Sequence, residues 1–175
     1  MSETLFLFDR PEAVAAWSAI DDRVMGGVSR SALCFDPAGH AVFCGQVSPD
    51  NDGGFASVRA SVSTPVTTDI DAIELLVRGD GHRYKLNLRT DRGFDGVNYQ
   101  AAFAPPAGQW ATLRLALDAF QPSWRGRAVP DAPPLRGARI EQVGLMIADR
   151  QFGAFALAIG VIRALEVGEG GDAPR

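Results

Sequence analysis

The chain has 175 residues, a formal charge of −4 and a pI near 5.1. Apolar residues form 46% of it, enough to bury one sizeable core and too many for a disordered chain. The acidic balance excludes a general nucleic-acid binder, whose surface must be basic.

Residues 4–8, TLFLF, read as a first strand. Pro11 then opens a short helical turn, PEAVAAW, with Asp9 as its cap. The stretch DDRVMGGVSRS follows at 21–31. After it, runs of alternating apolar and polar residues are separated by Gly, Pro, Asn and Asp. They lie at roughly 30–36, 41–48, 54–63, 71–78, 83–90, 97–103, 110–115, 140–148 and 153–166. Many short strands with frequent turns and no long helical periodicity predict an all-β protein, a β-sandwich or jelly roll. One domain is expected over 1–166. A proline-rich loop is expected over 121–139, and a loose tail over 167–175.

Cys34 and Cys44 could face each other across a hairpin turning at Pro37–His40. The N-terminus has neither a basic n-region nor a long apolar run, so no signal peptide or membrane span is read there. A cytoplasmic protein is expected, with both thiols reduced and serving as small core residues.

Alternation also sorts the strands into faces. In 83–89, Tyr84, Leu86 and Leu88 oppose Arg83, Lys85, Asn87 and Arg89. In 97–103, Tyr99, Ala101 and Phe103 oppose Asn98, Gln100 and Ala102, and Ser57 shares a face with Phe55 and Arg59. One sheet face rich in Arg, Lys, Asn and Gln meets either water or a ligand.

Chemical motifs are sparse. Gly26-Gly27 is followed by Val28-Ser29, without the lysine of a phosphate loop. Gly79-Asp80-Gly81 lacks the third glycine of a dinucleotide fingerprint and precedes a strand. A serine hydrolase needs a base beside its nucleophile, and the only histidines, His40 and His82, sit in expected turns. Cys34, His40 and Cys44 lack zinc-ligand spacing. Asp50-Asn51-Asp52-Gly53 reads as a turn rather than a calcium loop, leaving Asp21 and Asp22 as candidates for a structural calcium. Trp17 and Trp110 read as core anchors, whereas Trp124 is either buried or a platform for a sugar.

Trp17 followed by Asp22-Arg23-Val24-Met25-Gly26-Gly27-Val28-Ser29 resembles the signature of the complex I intermediate-associated protein family. Further blocks resemble it in order: Gly53–Arg59, Arg78–Gly81 with Tyr84–Arg89, Tyr99–Phe103 with Trp110, Phe120-Gln121-Pro122 with Arg125-Gly126-Arg127, Gly144–Ile147 and Gly153–Leu157. The family is named for a mitochondrial assembly factor of NADH:ubiquinone oxidoreductase. The resemblance implies a galactose-binding-like jelly roll without enzymatic residues to carry over. It also implies a bacterial stand-alone domain, for the chain shows no targeting peptide, additional N-terminal region or fused nucleotide-binding domain. Protein partners, respiratory-complex subunits or their intermediates, follow from the same resemblance.

The opening motif then has a structural reading. Gly26-Gly27 can take positive φ and let backbones pass closely, Val24 and Met25 can plug the sandwich edge beside Trp17, and Asp22 and Ser29 can bond backbone groups. The expected function is a non-catalytic binding or assembly module with no metal or cofactor. Its surface would be Arg59, Arg78, Lys85, Asn87, Arg89 and Gln100, rimmed by Trp124, Arg125, Arg127, Asp149 and Arg150. Such a face can read an acidic protein surface or a small anionic ligand. Replacing Arg59 and Arg89 together is expected to leave the fold intact. The alternatives are a carbohydrate-binding module and, third, a hydrolase or lyase.

Overall fold

The computed structural model describes residues 2–22, 26–66, 69–135 and 139–167. Arg23, Val24 and Met25 of the opening motif lie outside the described residues, as does 168–175 of the expected tail.

The strands in chain order are β1 (Ser2–Leu7), β2 (Ser18–Ala19), β3 (Arg30–Asp36), β4 (His40–Val47), β5 (Ala56–Val66), β6 (Ile70–Arg78), β7 (Tyr84–Arg89), β8 (Asn98–Phe103), β9 (Trp110–Ala116), β10 (Gln121–Trp124), β11 (Arg127–Ala128), β12 (Ile140–Ile147) and β13 (Gly153–Glu166). They form two antiparallel sheets. One runs β3-β4-β13-β6-β9, with β1 paired to the far end of β13. The other runs β11-β10-β8-β7-β12-β5-β2. This is the all-β jelly roll read from the alternation.

The core is the set of inward rows. Phe43, Leu75, Val77, Leu157 and Ile159 of the first sheet meet Tyr84, Leu86, Leu88, Val143 and Leu145 of the second, all within 1% of full burial. Rings stitch the layers together: Phe43 lies 4.9 Å from Phe155 in its own sheet and 6.2 Å from Tyr84 in the other. Each such side chain contributes about 1.5–3 kcal/mol by leaving water. Trp17 closes one end against Phe6 and Phe8, with centroids 4.9 and 5.8 Å away.

Several expectations are corrected. The turn after β1 is a 3-10 helix at Pro11–Val14 whose cap position is Arg10, with no side-chain capping bond; Asp9 instead pairs with Arg10 at 3.3 Å. The segment 121–139 is not a bare loop. It contains the hairpin of β10 and β11, turned by Arg125 and Gly126, both at positive φ. Cys34 and Cys44 are not core residues. Cys34 pairs with Val42 and Cys44 with Ala32, so both side chains share the outer face while Leu33 and Phe43 take the inner one. Cys34 is exposed, Cys44 half-buried, and no disulfide joins them. Trp110 is 42% exposed. It shares the outward row of β9 with Thr112 and Arg114 and packs against Arg78 and, edge-on, His40. His40 itself is a buried strand residue rather than a turn residue.

Candidate binding cleft

The outer face of the seven-stranded sheet carries a cleft of about 740 Å³. Its concavity follows from side-chain size. The outward row of β12 is Gln142, Gly144 and Met146, and Ala148 follows the end of the strand. Gly144 stands between Arg59 on β5 and Asn87 on β7, and Met146 between Ser57 and Lys85. The missing side chain of Gly144 and the small one of Ala148 leave a trough between the polar rows of β5 and β7. Gly144 has to be small, since a Cβ there would come 3.1 Å from the Val58 carbonyl oxygen and 3.5 Å from the Asn87 Cβ.

Six of the expected binding residues line this cleft: Arg59, Lys85, Asn87, Arg89, Gln100 and Arg125. The others are dispersed. Trp124 (41% exposed) and Arg127 sit on the β10–β11 hairpin at its rim. Asp149 reaches it only through Lys85, 3.4 Å away, and Arg150 lies over the Phe152 ring at 5.6 Å. Arg78 is on the opposite sheet, stacked on Trp110 at 5.1 Å, so it is no part of this surface.

Arg89 is only 2% exposed, which corrects its reading as a freely replaceable surface group. Its Nη1 donates to the Phe94 carbonyl at 2.6 Å and its Nη2 to Asp91 at 3.2 Å. Truncating Arg89 would leave a gap beneath the segment bearing Phe94 and take a donor from the Phe94 carbonyl, so the double replacement with Arg59 is expected to destabilise the fold. Arg59 donates to the same Phe94 carbonyl at 3.1 Å and covers that ring at 5.8 Å. Burial and the adjacent Arg89 hold its guanidinium down to about 10, with Asp91 opposing. It stays charged at neutral pH, in crowded positive surroundings.

The segment 91–96 bearing Phe94 lies between two expected strands and includes the Asp95-Gly96 turn. Phe94 is 63% exposed. Gln142 holds the segment by donating to the Asp91 and Gly93 carbonyls at 2.8 and 3.0 Å. Asp95, at its end, pairs with Arg125 at 2.5 Å, which keeps the Asp95 carboxyl below the usual range. On the floor, Asn87 and Gln100 spend amide N–H groups on the Met146 sulfur at 3.9 and 3.6 Å. The Oδ1 atoms of Asn87 and Asn98 and the Nε of Arg89 are buried without a partner.

The opening motif closes one end. Asp22 accepts from the Ser29 N–H at 2.8 Å, the Ser29 hydroxyl and the Gly54 N–H at 2.8 Å. Ser29 in turn accepts from the Ser48 N–H at 2.9 Å. Asp21 accepts from the Ser31 N–H at 3.1 Å, the Ser31 hydroxyl at 2.5 Å and the Ser57 N–H at 3.0 Å. All four carboxylate oxygens are thus engaged by donors, which removes this pair as a calcium site. Among the described residues no cluster of three His, Cys, Asp or Glu could hold a metal. Gly26 takes φ +88, and a Cβ on Gly27 would stand 2.5 Å from Asp22 Oδ1. Of the two glycines expected to take positive φ, Gly26 has it and Gly27 does not, its place being set by the close approach of Asp22.

Residues 6–159 match the profile of the family described as Complex I intermediate-associated protein 30. The chain belongs to this family. A mitochondrial protein of that name from Drosophila melanogaster is 26% identical over 90% of this chain, which spans 61% of the fly protein. An uncharacterized Schizosaccharomyces pombe protein is 28% identical over 92% of the chain and 84% of its own length. In fold, the chain is similar to a family 11 carbohydrate-binding module from Clostridium thermocellum, solved with a β-1,3-1,4-mixed-linked tetrasaccharide. The TM-score is 0.70 at 14% identity, over 94% of this chain and 95% of that one. A family 29 module complexed with cellulohexaose matches with a TM-score of 0.56 at 8% identity, over 95% and 92% of the two chains. Among the described residues no helix is long and apolar enough to cross a membrane.

Proposed function

We propose that this domain, expected over residues 1–166, is a non-catalytic binding module. It would act as a cytoplasmic, stand-alone counterpart of the family's assembly factors and hold a respiratory-complex subunit or intermediate in the cleft. The observation that carries the reading is the cleft itself, about 740 Å³ on one sheet face, whose lining gathers Arg59, Lys85, Asn87, Arg89, Gln100 and Arg125. Family membership supports a protein partner. The chemistry of the lining agrees. It contains no histidine or cysteine, and its two aspartates are committed to Ser29 with Gly54 and to Arg125.

The test is capture of a tagged chain from its own cells, comparing wild type with Ala148→Trp, which fills the cleft from a half-buried position outside the core. Respiratory-complex subunits should come with the wild type and be lost with the variant at an unchanged melting temperature. The same partners on both would refute the cleft reading.

A carbohydrate module is the second reading. The fold of the two solved modules favours it, as does the exposed Trp124 beside the cleft.

A further inference from the structure

Resting on the cleft reading above, we infer that the occupant is an extended acidic polypeptide segment lying across the strands, with a carboxylate seated on Arg59. The length and direction come from the sheet order. The lining runs from Ile20 beside β2, through Arg59 on β5, Met146 on β12, Asn87 on β7 and Gln100 on β8, to Ser123 on β10. Five inter-strand steps of about 4.8 Å make a trough of about 24 Å. An extended chain advances about 3.4 Å per residue, so about seven residues fill it. The floor is a sheet face rather than a sheet edge. Recognition therefore depends on side chains and not on an added strand.

The charge comes from pairing. Four cations line the cleft: Arg59, Lys85, Arg89 and Arg125. Three have a carboxylate, namely Asp149 for Lys85 at 3.4 Å, Asp91 for Arg89 at 3.2 Å and Asp95 for Arg125 at 2.5 Å. Among the described residues no carboxylate lies within ion-pair distance of Arg59. Its guanidinium and that of Arg89 converge instead on one neutral oxygen, the Phe94 carbonyl. Two cations sharing a neutral acceptor leave unmet demand for an anion, and a planar guanidinium fork suits a carboxylate. The chain as a whole is acidic, so this demand is local.

The peptide is favoured by family membership rather than by the rings. Arg59 and Arg125 lie over one face each of Phe94 and Trp124, at 5.8 and 4.7 Å, and both rings stay exposed.

The test is fluorescence anisotropy with a labelled heptapeptide alternating Gly and Asp, its Gly–Asn counterpart, and tetragalacturonate and cellotetraose as competitors. The proteins are wild type, Arg59→Gln, Arg59→Lys and Ala148→Trp, each checked by melting temperature. The Asp peptide should bind wild type about tenfold to a hundredfold more tightly than the Asn peptide, the range expected for one charge-assisted contact. Arg59→Gln should erase that difference, Arg59→Lys should keep part of it, and added salt should reduce it. Equal binding of the two peptides, or a preference that survives Arg59→Gln, overturns the inference. Binding of tetragalacturonate without the Asp peptide overturns it in favour of an acidic glycan, and binding of cellotetraose alone in favour of a neutral one. If no probe binds while captured partners still depend on Ala148, the anionic subsite falls and the cleft reading stands. If capture is indifferent to Ala148→Trp, the cleft reading itself falls.

Discussion

Asp22→Ala probes whether the opening motif is structural. Asp22 is 1% exposed and carries the Ser29 N–H, the Ser29 hydroxyl and the Gly54 N–H. Truncation orphans both backbone donors, while the hydroxyl can turn to the Ser48 carbonyl, 3.5 Å away. An orphaned buried donor costs about 1–3 kcal/mol, and the charged bonds lost are at the strong end of that range. The sum is about 3–5 kcal/mol, against a total stability of about 5–15 kcal/mol for a domain. At about 2–4 °C per kcal/mol for a chain of this length, the melting temperature should fall by about 6–20 °C. Asp22→Asn keeps one acceptor and should cost about half as much. Thermal and urea melts read both variants. A fall below about 3 °C for Asp22→Ala would mean that the motif is not a structural staple, and would return it to the list of ligand groups.

Two further predictions follow from the same geometry. Gly27→Ala should destabilise more than Gly26→Ala. The first drives a Cβ to within 2.5 Å of the Asp22 carboxylate, whereas the second meets open space and pays only for φ +88, about 1 kcal/mol; comparable urea midpoints would contradict this. Asp80 should shape the acid limb of stability. Burial raises its pKa, but the Ala156 N–H, the His82 ring and N–H and the Tyr84 hydroxyl together bring it below the usual value. The folded pKa is the lower one. Its stabilisation is therefore complete above the unfolded value of about 3.9 and is lost as pH falls through the folded pKa. Melting temperature against pH should drop more steeply below about pH 4 for wild type than for Asp80→Asn, and parallel curves would refute the role.

The strand pattern was legible because period two survives wherever one face is buried. Tyr84, Leu86 and Leu88 against Lys85, Asn87 and Arg89 separate cleanly, and β13 reaches its expected ends at 153 and 166. Trp110 was legible too. Its own alternation with Thr112 and Arg114 places it outside, and only its size suggested a core residue. Other features were not available to a local pattern. Alternation assigns a face but not a sheet, so Arg78 looked equivalent to Arg59 until β6 was found on the opposite layer. Burial of Arg89 depends on the segment 90–97 folding over it, a tertiary event that leaves no periodic mark. The β10–β11 hairpin was masked by Pro122 and by a turn with Arg125 at positive φ. Gln151 was silent for the same reason: it clamps Arg83 through both its N–H and its carbonyl at 2.8 Å, across 68 residues of chain.

The fold shared with carbohydrate-binding modules does not fix a ligand, because the two faces of the sheet divide the labour. Inner rows such as Leu86, Leu145 and Val58 carry the core, while outer rows such as Asn87, Met146 and Arg59 carry the cleft. Along each strand the two sets alternate, so a change in the outer row leaves the inner one in place. The scaffold therefore determines where a trough can form, across the middle strands where Gly144 and Ala148 are short, and leaves its chemistry to a few outward residues. In this chain those residues are chiefly arginines and amides, with Phe94 and Trp124 exposed beside them. The ligand should consequently be decided by charge: converting Arg59 to a neutral group removes the feature that separates this cleft from one suited to neutral ligands, at little expense to the core.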